Sequence, residues 1–165
     1  MIKQRTPYDC GIATLANALA VSYEKAMALY GADKQYNGVT IQQTASILFG
    51  LGYAPVYIAL PGFVKASGVT MSTANPEILE TLGNPAILQV LTPGGTVHQV
   101  WFDGKQIHDP SPTVDAPRTV SDYCLIDALF VIKNSQALVR KPALWSVYEP
   151  YKAPVSHIRS IGGGV

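Results

Sequence analysis

The stretch QRTPYDCGIATLANALAV, running from Gln4 to Val21, decides how the rest of the chain is read. Ile12, Leu15, Ala16 and Leu19 recur at helical spacing behind the breaker Pro7, with Asp9 in the N-cap position. A helix is therefore predicted to begin at Cys10 or one residue to either side. A thiol in the first turn of a helix lies beside unsatisfied backbone N–H groups and the positive end of the macrodipole, which together stabilise a thiolate. The thiolate is the nucleophile, so this is where a catalytic cysteine belongs. By residue type alone Cys10 would be a small buried hydrophobe, and it is the placement that argues against this.

Outward from that helix, Ser22 to Tyr30 reads as a second helix capped by Ser22 and stopped by Gly31. Thr40 to Leu51 reads as a third, giving three helices before residue 53. The period then changes. Ala54 to Leu60 is predicted as a strand, Pro61 to Ala74 as a loop, and the segment from Asn75-Pro76-Glu77 to about Gly83 as a short helix with Pro at its first position. Ala86 to Leu91, Val97 to Phe102 and Lys105 to Asp109 form a predicted antiparallel meander with turns at Pro93-Gly94-Gly95 and Asp103-Gly104. Ser121 to Asp127 is predicted as a short helix and Ala128 to Lys133 as a last strand. Helices first and an antiparallel sheet afterwards define an α+β fold.

A nucleophilic cysteine needs a base, and the base needs an orienting group. Asp-Gly is a preferred two-residue hairpin loop, so Asp103-Gly104 sets a register in which Phe102 faces Lys105, Val100 faces Ile107 and His98 faces Asp109. Opposed residues project to one face with Cβ atoms about 5 Å apart, which pairs His98 with Asp109 on the apolar side of the hairpin. His108 points the other way, and neither it nor His157 is expected to have a comparable partner. A cross-strand His–Asp pair can equally be a plain structural hydrogen bond; its coincidence with a helix-start cysteine favours catalysis.

The segment Gln4-Arg5-Thr6-Pro7-Tyr8-Asp9-Cys10-Gly11-Ile12-Ala13-Thr14-Leu15 resembles the active-site start of papain-like cysteine peptidases. It is most similar to the bacteriocin-processing domains that cleave after a double glycine. Their pattern has a Gln six residues before the Cys of Asp-Cys-Gly, then an Ala and a Leu, and each position is matched. Pro85-Ala86-Ile87-Leu88, His98-x-Val100 and Asp109-Pro110 are similar to that family's later segments, so the resemblance covers residues 1 to 133 in order. It implies a papain-like fold, with N-terminal helices packed on an antiparallel β-sheet, a peptide or protein substrate, Cys10 as nucleophile, His98 as base and then acid, Asp109 as orienter and Gln4 as oxyanion donor. A Gln4 amide beside the Cys10 backbone N–H would aim two donors at a developing oxyanion. The His98 to Asp109 interval is short for the family, and Pro61 to Ala74 has no counterpart in it. The remaining residues, 134 to 165, are expected to be a C-terminal extension, with a Trp145, Tyr148 and Tyr151 aromatic group and a glycine run at 162 to 164.

Composition agrees with this and narrows the options. The chain has 165 residues, 48% of them hydrophobic and only 14% charged, which excludes disorder as the dominant state. Twelve basic and eleven acidic residues leave a charge of +1 with no basic stripe, so nucleic acid is not an expected partner. The two cysteines, Cys10 and Cys124, lack zinc-site spacing, and no metal or cofactor is expected. They suit a reducing compartment, although sequence alone leaves a Cys10–Cys124 bridge open. No apolar run is long enough for a membrane span. Lys3, Arg5 and IATLANALAV imitate a secretory signal, but Pro7, Asp9 and Asn17 interrupt it, so a cytoplasmic location in a bacterial or phage setting is expected. The expected activity is peptide hydrolysis through a thioester acyl-enzyme, with Gly-Gly as one cleavage preference. Acyl transfer or deamidation by the same residues, and a catalytically silent peptide-binding module, are the alternatives.

Overall fold

A computed structural model describes residues 1–31 and 33–133. Helix α1 spans Cys10–Leu19, α2 Tyr23–Tyr30, α3 Lys34–Asn37 and α4 Ile41–Gly50. Strand β1 (Tyr53–Ala59) is followed by α5 (Gly62–Ser67), α6 (Glu77–Leu82), β2 (Ala86–Leu91), β3 (Val97–Phe102), β4 (Ile107–His108) and β5 (Cys124–Lys133). The strands form one antiparallel sheet in the order β1-β5-β2-β3-β4. The expected α+β architecture, with N-terminal helices on an antiparallel sheet, is the one observed.

The helix ends follow local chemistry. Ser22 caps α2 by accepting from the Lys25 N–H, and Thr40 and Gln43 form a reciprocal capping box at α4. Three expectations are corrected. Before residue 53 there are four helices rather than three, because α3 is a single turn too short to show an apolar period. Within the predicted loop at residues 61–74, α5 forms between Pro61 and the left-handed Gly68. The predicted helix over Ser121 to Asp127 shrinks to a 3-10 turn at Val120–Asp122, and Cys124 to Asp127 join β5. Strand β5 lies between β1 and β2 and is covered on both faces, so its apolar run lacks the alternation that marks a half-exposed strand.

The two faces of the sheet carry separate cores. On one, Leu88, Val90, Val100, Phe102 and Ile107 pack with Leu60 and Leu79. On the other, Ile87 and Leu129 meet Leu15 of α1 and Ile41 and Leu48 of α4. A third cluster, around Ile12, Ala16, Tyr23 and Ala26, joins α1 to α2. Each fully buried side chain of this size contributes roughly 1.5–3 kcal/mol of transfer free energy, so α1, which feeds two clusters, is the helix most firmly fixed to the rest. Gly11 keeps the start of α1 free of a side chain: a Cβ there would collide with Val39 Cγ2, in the segment before α4, and lie 2.8 Å from the Gln99 Oε1 of β3.

The helix-facing side of the sheet also carries a polar row. Gln89 is paired with Gln99 on β3 and with Asp127 on β5, and the last two are only 2% exposed. Asp127 Oδ2 accepts from Tyr57 Oη at 3.2 Å, while Oδ1 has no partner among the described residues. Burial raises the Asp127 pKa from 3.8 to about 6 against the opposing hydrogen bonds from Tyr57 and the Gln89 backbone. For a raised carboxylate, stability is present while the group is protonated and is lost as pH climbs from 3.8 through about 6. Asp127→Asn, which keeps a neutral side chain of the same shape, is expected to stabilise the fold more at pH 8 than at pH 4, by about 2 kcal/mol. Urea denaturation at the two pH values checks this, and an equal effect at both would show that ionised Asp127 costs nothing.

Candidate active site

The segment before α1 is organised by Asp9, which is completely buried. Its carboxylate accepts from the Arg5 N–H at 3.1 Å, the Thr6 N–H at 3.0 Å and the Tyr23 hydroxyl. The Arg5 guanidinium lies 3.8 Å over the Tyr23 ring and pairs with Glu24 at 2.7 Å. The predicted N-cap role for the Asp9 side chain is thus corrected: it makes no cap hydrogen bond and turns back into the preceding loop. The Asp9 backbone carbonyl accepts from Ile12 and Ala13, and the N–H groups of Cys10 and Gly11 have no acceptor among the described residues. Free donors at a helix start, next to a partly exposed thiol, form an anion-favouring corner.

His98 and Asp109 meet, although the register that predicted them is wrong. Phe102 pairs with Ile107, not with Lys105, and Trp101 with His108. The turn is the four residues Asp103 to Gln106, closed by Asp103 N–H to Gln106 O at 3.1 Å and by Asp103 Oδ1 accepting from the N–H groups of Lys105 and Gln106. Gly104 takes φ +100° within it. The slip is two residues, and side chains alternate with period two, so His98 and Asp109 stay on one face as diagonal neighbours. His98 Nε2 lies 2.8 Å from Asp109 Oδ1. His108 also has a carboxylate, Asp103 Oδ2 at 2.8 Å, contrary to expectation, but on the exposed opposite side of the hairpin. His157 lies outside the described residues.

The imidazole is poised between two acidic groups. Burial opposes its charge, yet hydrogen bonding and charge from Asp109 and Cys10 outweigh that and raise the His98 pKa from 6.5 to about 9. With Nε2 on Asp109, Nδ1 is the nitrogen left to face the sulfur. Asp109 is 5% exposed; burial works against its charge, but His98, the Ser111 N–H at 2.8 Å and the Tyr123 hydroxyl at 2.7 Å hold its pKa below the ordinary 3.8. Both carboxylate oxygens are therefore fixed in place.

Gln4 is half-buried beside the loop that follows Asp109. Its backbone N–H donates to Pro110 O at 2.9 Å, and its side-chain Nε2 donates to Thr6 O at 2.9 Å, leaving the second amide hydrogen unassigned. Oε1 is buried without a partner among the described residues. Lys3 adds a second tie, donating to the carbonyls of Asp109 at 3.4 Å, Ser111 at 3.0 Å and Val114. Lys3, Ser111 and Tyr123 are not among the site residues that the sequence points to. Only Ser111 carried a signal, since Asp109-Pro110-Ser111 has the form of an Asx turn. The described residues contain no cluster of three or more His, Cys, Asp or Glu side chains able to hold a metal ion, and both cysteines are free thiols. No helix among them is long and apolar enough to cross a membrane.

Several solved structures share this fold. The double glycine motif protease from an AMS/PCAT transporter, solved in complex with the leader peptide, superposes with a TM-score of 0.55 at 19% identity over 81% of this chain and 90% of that one. The peptidase domain of Streptococcus ComA, a bifunctional ABC transporter involved in a quorum-sensing pathway, gives 0.52 at 18% identity over 81% and 97%. The chain therefore has the papain-like fold of double-glycine peptidase domains. No protein-family model and no curated protein sequence matches it.

The Asp9 network generates an expectation for stability. Replacing Asp9 by Ala leaves the Arg5 and Thr6 N–H groups and a buried tyrosine hydroxyl without an acceptor, at a cost of about 3 kcal/mol. Chemical denaturation of the variant measures this, and a loss below about 0.5 kcal/mol, within the range of an ordinary surface change, would show the network to be incidental.

Proposed function

We propose that the chain is a cysteine peptidase in which residues 1–133 carry the reaction, with Cys10 as nucleophile, His98 as acid and base, Asp109 as orienter and Gln4 as oxyanion donor. The observation that carries this reading is the convergence of a helix-start thiol beside unpaired backbone N–H groups with a His98 Nε2 held 2.8 Å from the buried Asp109 carboxylate. An imidazole whose pKa is raised to about 9 by Asp109 and Cys10 carries a proton at neutral pH that it can give to a leaving group. The likeness in fold to two peptidase domains adds support for a peptide substrate and for small residues such as Gly-Gly before the cleaved bond. The tail at residues 134–165, proposed as an extension, lies outside the described residues.

The chemistry follows from the geometry. Cys10 Sγ attacks the scissile carbonyl carbon, and the developing oxyanion is met by the Cys10 N–H and the free amide hydrogen of Gln4. The C–N bond breaks, the leaving nitrogen takes the proton from His98, and a thioester remains. Neutral His98 then accepts a proton from water, hydroxide adds to the thioester, and the thiolate leaves as the acid product departs. Asp109 keeps the ring in one orientation throughout and stabilises its charged form.

Two measurements test the reading. Iodoacetamide near neutral pH is expected to label Cys10 well before Cys124, with Cys10→Ala abolishing peptide cleavage; equal slow labelling of both thiols would overturn the activated thiolate. Acylation needs the His98 proton, so kcat/KM is expected to fall as pH rises through about 9. Asp109→Asn should move that alkaline limb downward and lower kcat by about 10²-fold or more. A limb unmoved by Asp109→Asn would remove Asp109 from the proposed set.

A further inference from the structure

A cleft of about 560 Å³ opens beside His98, lined by Gln4, His98 and Asp109 and by Val90, Leu91 and Pro93 at the ends of β2 and its turn. The imidazole of His98 lines it, as does Gln4, and Cys10 does not. A second cavity, of about 450 Å³ beneath α5, shares Lys65, Asp122, Tyr123 and Cys124 with the first. Through these shared residues the two form one groove, with His98 in the first part and not in the second.

The lining has a definite chemistry. Near His98 it is mainly apolar, with Val114 and the Tyr123 ring added to the β2 residues. Further along stand one acid and one base, and they are not equivalent. The Asp122 carboxylate is occupied in its own turn, accepting from the Thr119 N–H at 2.8 Å and the Thr119 hydroxyl at 3.0 Å. Lys65 is exposed and forms no ion pair among the described residues. The groove therefore offers apolar contact next to the reaction centre and an unneutralised ammonium beyond it.

Proton flow says which half of a peptide this groove would hold. When the thioester forms, the acyl half becomes bonded to Cys10 Sγ, while the amine half departs with the electron pair of the broken C–N bond and the proton from His98. A groove lined by the imidazole that supplies that proton, and not by the sulfur, fits the departing half. Resting on the peptidase reading, we propose that this groove binds the leaving half of the substrate. It selects an apolar residue directly after the cleaved bond and a carboxylate a few residues further on, paired with Lys65. The carboxylate is supplied by an acidic side chain or by the end of the peptide.

The test uses the full chain carrying Cys10→Ala, titrated calorimetrically with four peptides that stand for the leaving half: Phe-Ala-Ala-amide, Ser-Ala-Ala-amide, Phe-Ala-Glu-amide and Phe-Ala-Ala with a free carboxyl end. Phe over Ser at the first position is expected to improve affinity about tenfold, from apolar burial. A carboxylate is expected to add about threefold, as a partly exposed ion pair does. A gain for the glutamate peptide alone identifies the side chain as its source, and a gain for the free acid alone identifies the terminus; either supports the groove. Adding Lys65→Glu should abolish the carboxylate gain and favour Phe-Ala-Lys-amide. Equal affinity for all four peptides, no binding of any, or a carboxylate gain that survives Lys65→Glu would overturn the proposal. Iodoacetamide labelling of the unmodified chain judges the peptidase reading independently, because it does not involve this groove.

Discussion

The buried carboxylate of Asp9 is the constraint on which the start of the chain depends. It gathers two backbone donors and a tyrosine hydroxyl from residues 5, 6 and 23 into one point. An ionisable group without exposure is tolerable only when its acceptor capacity is used, and here it is. The consequence is directional. Because the side chain faces backward, the loop from Gln4 to Cys10 is wound tightly, α2 is drawn against α1, and the first N–H groups of α1 stay free. A conventional cap at Asp9 would have filled the corner that the thiol shares.

Two further ties complete the arrangement from the other end of the chain. Lys3 and Gln4 bind the carbonyls that follow Asp109, while Thr14 Oγ1 donates to Gln99 O at 2.9 Å and fixes α1 on β3 next to His98. Cys10 and His98 are thus held by separate elements whose spacing is set by backbone acceptors rather than by the two side chains themselves. Two side chains can be kept near one another in this way without relying on their own attraction. Gly11 belongs to the same logic, since a side chain at that position would collide with Val39 and with the Gln99 side chain of β3.

What the sequence made legible follows from symmetry and period. The first helix, the α2 and α4 caps and the β2–β3 hairpin were readable because each is an amphipathic or capped unit with a local signal. The pairing of His98 with Asp109 was readable for a subtler reason. The turn was misread by two residues, and an even slip preserves which face a side chain is on, whereas a slip of one would have sent Asp109 to the far side. Strand β5 was partly misread because a central strand shows no alternation, and α5 because its bounding Pro61 and Gly68 look like loop residues. The supports of Asp109, Tyr123 above all, were illegible because they arise from tertiary contact between segments with no shared local pattern. Asp9 was assigned the right neighbourhood and the wrong direction.

The Lys3 clasp has a bearing on biosynthesis. It spans 106 to 111 residues of sequence, from the amino terminus to Asp109, Ser111 and Val114, and the Tyr123 hydroxyl comes later still. Contacts of such separation form after local helices and hairpins, because chain closure must be completed before they are rewarded. A chain still on the ribosome presents the Cys10 helix early, while the imidazole and its carboxylate have yet to be added. Until residues 98 to 109 have been added, the thiol stands without the imidazole and carboxylate it meets in the finished fold, and the corner is complete only when β3, β4 and the Lys3 contacts have closed around it.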